Sequence, residues 1–194
     1  MHMTTSRAAF IAAPLLTGAY GVFRLVNGMG GERQPGFSWT AGHLCFLLAL
    51  GCFVRAFAVM RARAGAGRLA TVGYWLATVG ATAVAGQFAI DLVVGWISPD
   101  RAAMALRYDQ IQAVPGVMPV CYTVLPLLFF VGQTILVGQL ARRRVLRPWA
   151  PVLVLVDNLL PFADKDLIPL GAVLLLISYA PLYRSEPTPE LRFS

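Results

Sequence analysis

The chain of 194 residues is 58% hydrophobic and only 13% charged, with a mean hydropathy of +0.68. A soluble domain carries roughly 25% charged residues, so this chain has too little polar surface for water and points to a bilayer as its solvent. The formal net charge of +7 does not point to nucleic acid, because the Arg residues fall in short runs between apolar segments and form no basic face interleaved with aromatics.

The first apolar run, residues 8–26, is interrupted only by Pro14 and Arg24. No clear small-residue cleavage site follows it, so it is read as a retained helix and not a signal peptide. The second run, 38–60, has His43 near its start and Arg55 near its end; the third, 69–97, contains Gln87 and Asp91. Gly73, Ala77, Gly80, Ala81, Ala85 and Gly86 make the third run a helix of small residues. Small side chains let backbones approach where lipid offers no hydrophobic gain, which predicts a central place in the bundle. After it, Ser98 is an expected N-cap, Pro99 an N1 residue, and Met104, Tyr108 and Ile111 recur with helical spacing. A short amphipathic helix over 99–113 is expected, lying in an outer loop and ending before Pro115-Gly116.

The fourth run covers 117–140. Two shorter ones, 149–162 and 168–183, are divided by Ala163-Asp164-Lys165-Asp166. Two short helices fit better there than one long helix with Pro161 and Pro169 inside it; five spans with a re-entrant hairpin is the alternative. No internal repeat of the kind seen in many transporters is evident. The fold class expected is therefore all-α: a single integral membrane bundle of about six transmembrane helices, with a short tail over 184–194.

Orientation follows from the Arg-rich connections. Arg61, Arg63 and Arg68 lie between the second and third runs, and Arg142, Arg143, Arg144 and Arg147 between the fourth and fifth. In any alternating topology they share a side, the cytoplasmic one by the positive-inside bias. Both termini, with Arg7, Arg184 and Arg192, then fall inside as well. Trp39 and Trp96 mark outer ends of spans, Trp149 and Tyr183 inner ends. The expected location is a bacterial cytoplasmic membrane; fifteen of the sixteen basic residues are Arg, Lys165 being the only Lys, in keeping with a high-GC bacterial genome.

Polar residues at membrane depth cost a few kcal/mol each on insertion scales and need a partner or a task. These spans place most of them in one outer layer: Tyr20, Arg24 and Asn27, then His43, then Gln87 and Asp91 on one helix face, then Asp157 and Asn158, with Asp164 and Asp166 at the following turn. They define a candidate pocket walled by Phe23, Phe46, Phe88 and Tyr122. Asp91 and Asp157 are the candidate acid/base groups, since a carboxyl group kept protonated among apolar neighbours donates a proton to an alkene or epoxide, or shuttles one. Arg24, His43, Gln87, Tyr122, Asn158 and Asp164 are candidate substrate-binding residues. The competing reading is a packing network in which Arg24 pairs with Asp91 or Asp157 merely to fix the register of the bundle.

No cofactor and no metal are expected. Cys45 and Cys52, seven residues apart on one helix, lie about 10 Å apart, too far for a disulfide, and no Cys pair has metal-ligand spacing. His43 is the only histidine at membrane depth, and no nucleophile elbow, Walker loop, HExxH or dinucleotide fingerprint occurs.

The stretch Gly86-Gln87-Phe88-Ala89-Ile90-Asp91-Leu92-Val93-Val94-Gly95 and the turn Ala163-Asp164-Lys165-Asp166-Leu167 resemble small multi-pass membrane proteins of high-GC bacteria. In architecture the chain also resembles the integral-membrane terpene cyclases of meroterpenoid pathways, small helical bundles whose embedded carboxylates protonate an isoprenoid. The second span departs from them in offering His43 where a Glu or Asp is expected. That resemblance implies an acid–base enzyme of cyclase or isomerase type acting on a lipophilic, isoprenoid-like molecule. A structural subunit of a membrane complex and a small proton-coupled transporter are the alternatives, the latter with little inner polar lining beyond Gln133 and Gln139. Expected partners are the lipid bilayer, a lipophilic small molecule, and a second copy or another membrane protein.

Overall fold

A computed structural model describes residues 2–184, which form helices joined by short connections with no strand among them. The helices are α1 (His2–Gly28), α2 (Phe37–Arg63), α3 (Arg68–Ile97), α4 (Arg101–Gln112), α5 (Leu125–Arg142), α6 (Ala150–Ala163) and α7 (Ile168–Arg184). A π-helical turn, Val117–Val124, leads into α5, and a 3-10 turn, Lys165–Leu167, leads into α7. The tail expected beyond Arg184, with Arg192, lies outside the described residues.

Five stretches are long and apolar enough to cross a membrane: Arg7–Gly28, Phe37–Arg63, Arg68–Ile97, Val117–Arg142 and Lys165–Arg184. α6 has 14 residues; at about 1.5 Å per residue it is roughly 21 Å long, short of the hydrocarbon thickness of about 30 Å. Large apolar side chains face outward along the long helices, with Leu15, Leu48, Val72, Val131 and Val173 each about half exposed. Water does not tolerate so extensive an apolar perimeter, whereas lipid does. The described chain has the profile of a multi-pass membrane protein.

The helices close a ring. α1 packs on α2 and α7, α2 on α3, α3 on α5, α5 on α6, and α6 on α7, with α2 also meeting α5 across the interior. The small-residue face of α3 lies against α5, and α3 takes a place in the ring and not at its centre as expected. A Cβ on Gly80 would overlap the backbone of Phe129, one on Gly132 the backbone of Ala77, and one on Gly73 would lie 2.8 Å from Ile135. The two backbones therefore touch directly, the arrangement small residues permit in a bilayer.

Successive spans run antiparallel, so the Arg-rich connections α2–α3 and α5–α6 meet at one end. The Arg143 guanidinium lies over Gly65, where φ is +77° and a Cβ would sit 2.8 Å from Nη1. Arg63 donates to the Leu182 carbonyl at 3.3 Å and lies over the Phe10 ring. Beneath these arginines, Phe10, Phe57, Met60, Leu136, Leu140, Tyr179 and Leu182 are fully buried. The other end of the bundle carries α4, the π-turn and most of the polar side chains.

The start of α4 corrects one expectation. Asp100, not Ser98, is its N-cap, accepting a hydrogen bond from the Ala103 amide at 2.8 Å, while Ser98 Oγ is buried without a partner. A carboxylate caps as well as a hydroxyl and adds a favourable charge at the helix N-terminus; Pro99 then precedes the helix. Met104 is buried, and Tyr108 and Ile111 are half-buried on the same face.

The α3–α5 contact yields a pair of contrasting variants. Gly80→Leu forces the helices apart and should destabilise the protein by about 2 kcal/mol or more. Gly86→Ala, where a Cβ meets nothing within 4 Å, should be neutral or stabilising by up to about 1 kcal/mol. Melting of the two variants in detergent checks the difference; equal melting points would show that the helices do not meet at Gly80.

Candidate functional site

The polar end is organised around one carboxylate. Asp166, in the turn before α7, accepts from Arg24 Nε at 3.2 Å and from Arg33 Nη2 at 2.5 Å. This ties α1 and the α1–α2 connection to the turn before α7, the neighbour of α1 in the ring. The connection itself is braced by Asn27, which donates to the Gln34 carbonyl at 2.9 Å and accepts from the Gln34 amide at 2.8 Å. Arg24 therefore pairs with neither Asp91 nor Asp157, contrary to the packing-network expectation. A guanidinium near the end of α1 reaches a carboxylate on the connecting turn more easily than one within another helix, and a partly solvated pair there costs less to desolvate.

Asp91 has partners of a different kind. Its Oδ1 accepts from the Tyr108 hydroxyl at 2.8 Å, and its Oδ2 lies 3.5 Å from His43 Nε2. His43 Nδ1 is 2.7 Å from the Trp39 carbonyl. A carbonyl only accepts, so Nδ1 carries a proton and Nε2 is the atom turned to the carboxylate. Trp39 Nε1 in turn donates to the Asp91 backbone carbonyl at 3.0 Å. The imidazole is enclosed by rings, with centroids 4.3 Å away for Trp39, 5.1 Å for Phe88 and 5.6 Å for Tyr20. Gly95 makes room for the indole, since a Cβ there would lie 2.5 Å from Trp39 Nε1. Burial, followed by the Asp91 charge and hydrogen bond, holds the Tyr108 phenol above the ordinary tyrosine range.

Gln87, one helical turn before Asp91, donates to the Cys121 carbonyl. That carbonyl sits where the chain is π-helical: the Leu125 amide bonds to the Val120 carbonyl, five residues back. The next amide in that pattern would come from residue 126, which is proline and has none. Gln87 satisfies the carbonyl that Pro126 leaves open.

Asp157 and Asn158 come from α6. Asn158 donates to Thr134 Oγ1 at 3.2 Å, while its Oδ1 is buried with no partner. Asp157 has no hydrogen bond or ion pair to another side chain among the described residues, and packs against Gly171, where a Cβ would collide with the carboxylate.

These side chains share one cavity of about 480 Å³, within the usual size range of ligand sites. Of the eight candidate residues, Arg24, His43, Gln87, Asp91, Tyr122, Asp157 and Asn158 line it. Asp164 does not; its carboxylate accepts from the Asp166 amide at 2.8 Å and shapes the turn. Of the expected walls, Phe46, Phe88 and Tyr122 are present, joined by Phe53, Phe129 and Phe130, whereas Phe23 packs on Phe37 instead. Sequence reasoning missed Tyr108, Gln112 and Lys165 at the rim and gave Trp39 only the role of an interface marker. Tyr108 was legible as part of the α4 stripe, but nothing in the stripe indicates that its hydroxyl reaches Asp91. Among the described residues no group of three or more His, Cys, Asp or Glu has an arrangement able to hold a metal ion. No protein-family model, curated protein or solved structure matches the chain.

The Tyr108–Asp91 bond gives a pH-dependent expectation. Folded Tyr108 keeps its proton where an unfolded tyrosine, with an ordinary value of about 10, releases it. Its contribution to stability is therefore intact below about pH 10 and lost as pH rises further. Tyr108→Phe should flatten the alkaline decline of the melting temperature between about pH 9 and 11. An unchanged slope would show that the phenol titrates alike in both states.

Proposed function

We propose that the protein is a six-span membrane protein of the bacterial cytoplasmic membrane, with an outer-leaflet pocket for a lipophilic, isoprenoid-like molecule. On this reading Asp91 and Asp157 are its acid/base groups. The Arg-rich end faces the cytoplasm with both termini, as the positive-inside bias requires, and α6 spans as a short helix. α4 then lies over the outer opening as an amphipathic helix, with Tyr108 and Gln112 at the rim of the cavity.

The observation that carries this reading is the convergence of unpaired polar atoms on an apolar, aromatic-walled space. Asn158 is only 5% exposed with a partnerless Oδ1, Tyr122 has a buried hydroxyl with no partner, and Asp157 has no side-chain partner among the described residues. Buried polar atoms are normally satisfied; a ligand with hydrogen-bonding groups would complete these. A mere packing network would satisfy itself.

The chemistry is proton transfer at carbon. The proton held between Asp91 and His43 adds to a double bond of the substrate, leaving a carbocation that the faces of Phe46, Phe88, Phe129 and Trp39 stabilise through their quadrupoles. A carbon next to the cation then gives up a proton to the Asp157 carboxylate, restoring a double bond. One proton enters the substrate and one leaves it, so the substrate is isomerised or ring-closed without a co-reactant, and the proton left on Asp157 exchanges with solvent while the Asp91–His43 pair takes one up before the next turnover. The dense packing of Phe10, Phe57, Met60, Leu136 and Tyr179 toward the Arg-rich end favours a one-sided pocket over a transport path.

Asp91→Asn and Asp157→Asn test the reading. Each should melt within a few degrees of the wild type or above it, and each should lose the thermal shift that isoprenoid ligands give the wild type in detergent. If both variants fall sharply and no ligand shifts the wild type, the polar groups serve packing alone and the structural-subunit reading takes over.

A further inference from the structure

We infer that the molecule seated in this cavity is an amphiphile with an anionic head group. A phosphate or carboxylate would lie at the rim against Lys165 and Arg24, with the apolar tail running down between Phe53, Phe129 and Leu175. The inference deepens the proposed function and rests on that reading of the cavity.

At the rim itself Arg24, Arg33 and Lys165 stand against the carboxylates of Asp164 and Asp166, while the Asp157 carboxylate lies deeper, against Gly171 on α7. Asp166 is shared between the two arginines, and Arg24, which also meets the Tyr20 hydroxyl, gives Asp166 only its Nε, so its guanidinium retains N–H groups for a further acceptor. The Lys165 ammonium has no ion pair among the described residues, yet Lys165 lines the cavity. An anionic head supplies the missing charge and a fork of acceptor oxygens, which guanidinium and ammonium groups bind with charge-assisted hydrogen bonds. A cationic head would instead sit beside Lys165 and Arg24 and be repelled. The Asp91 carboxylate does not offset these cations, because it faces His43 and Tyr108.

Depth sets the direction of the ligand. Thr17 lies seven residues below Arg24 on α1, and Leu175 seven below Ile168 on α7, each about 10 Å deeper into the bundle. At that level the lining is Phe53, Val84, Phe129 and Leu175 with the Thr17 hydroxyl turned to its own helix, donating to the Ala13 carbonyl at 2.9 Å. A tail fits there and a head does not. The unpaired polar atoms of Asn158, Tyr122 and Asp157 lie between the two zones, beside the part of the tail next to the head.

The test compares farnesyl monophosphate, farnesoic acid and farnesol, which share a tail, for binding to the full chain in nanodiscs of zwitterionic lipid. Inorganic phosphate alone is the fourth probe. The two anionic amphiphiles should bind about tenfold more tightly than farnesol, inorganic phosphate should not compete with them, and Lys165→Gln should remove most of the preference. Lys165→Glu, a second variant at the same exposed position, should reverse it in favour of farnesylamine. Equal affinity for farnesol and the anionic amphiphiles would overturn the inference while leaving the lipophilic pocket standing. Competition by inorganic phosphate at similar concentrations would overturn it too, because the site would then be a simple anion site. If none of the amphiphiles binds, the proposed function itself fails.

Discussion

The carboxylate of Asp166 joins the two halves of the polar end, and the character of the cavity depends on it. A guanidinium near the end of a membrane helix needs a counter-charge, since the alternative costs a few kcal/mol. Asp91 and Asp157 line the same cavity as Arg24, and Asp166 stands in the neighbouring turn before α7. Because Asp166 takes it, together with Arg33, neither Asp91 nor Asp157 is consumed as a structural counter-ion. Each is left with the partners its own helix and neighbours provide: an imidazole and a phenol for Asp91, apolar surroundings and Gly171 for Asp157. Two acids in such different settings are what acid/base chemistry requires of a pair.

Space for the cavity comes from a contrast along α5. Toward the Arg-rich end α5 lies backbone-to-backbone on α3 through Gly73, Gly80 and Gly132. Above Phe129 the chain enters Pro126 and then the π-turn, where the hydrogen-bond pattern loosens and no residue is buried. A bundle held close at one level and irregular at the next opens there, and Pro126, Phe129 and Phe130 line the opening. Irregular backbone at membrane depth is tolerated only where its polar groups are met. The Gln87 amide bonded to the Cys121 carbonyl meets that condition, so Gln87 supports the cavity wall whether or not it touches a ligand.

Helices were the legible part of the sequence, for a physical reason: a bilayer demands long apolar runs, and hydropathy reads them directly. The layer of polar residues was legible too, because Arg24, His43, Gln87, Asp91, Asp157 and Asn158 are each anomalous in an apolar run. Pairing was not. Arg24 could be assigned to the wrong acid because sequence distance carries no information about which carboxylate a ring of helices brings across, and Asp164 and Asp166, two residues apart, differ only in which way the 3-10 turn points them. Lys165 and Tyr108 escaped for a related reason: each sits in a segment that is ordinarily solvated, and only the closing of the ring turns it toward the cavity. The π-turn had a local signal in Pro119 and Pro126, but its consequence, an orphan carbonyl met by Gln87, is tertiary.

Hydrogen-bond bookkeeping at His43 separates the two acids further. With Nδ1–H given to the Trp39 carbonyl and the Tyr108 hydroxyl given to Asp91 Oδ1, only the line from Nε2 to Oδ2 remains. The proposed chemistry places one proton on that line; imidazolium with carboxylate, and imidazole with carboxylic acid, carry the same net charge of zero. Under the proposed chemistry, giving that proton to a substrate leaves one negative charge on the pair and creates one positive charge on the substrate, and the net charge of the cavity does not change. Asp157 has no basic neighbour to balance it in this way. On the proposed reading its place is at the closing step, where the carboxylate takes the carbocation's proton and the negative charge stays on the Asp91–His43 pair until that pair takes up a proton again.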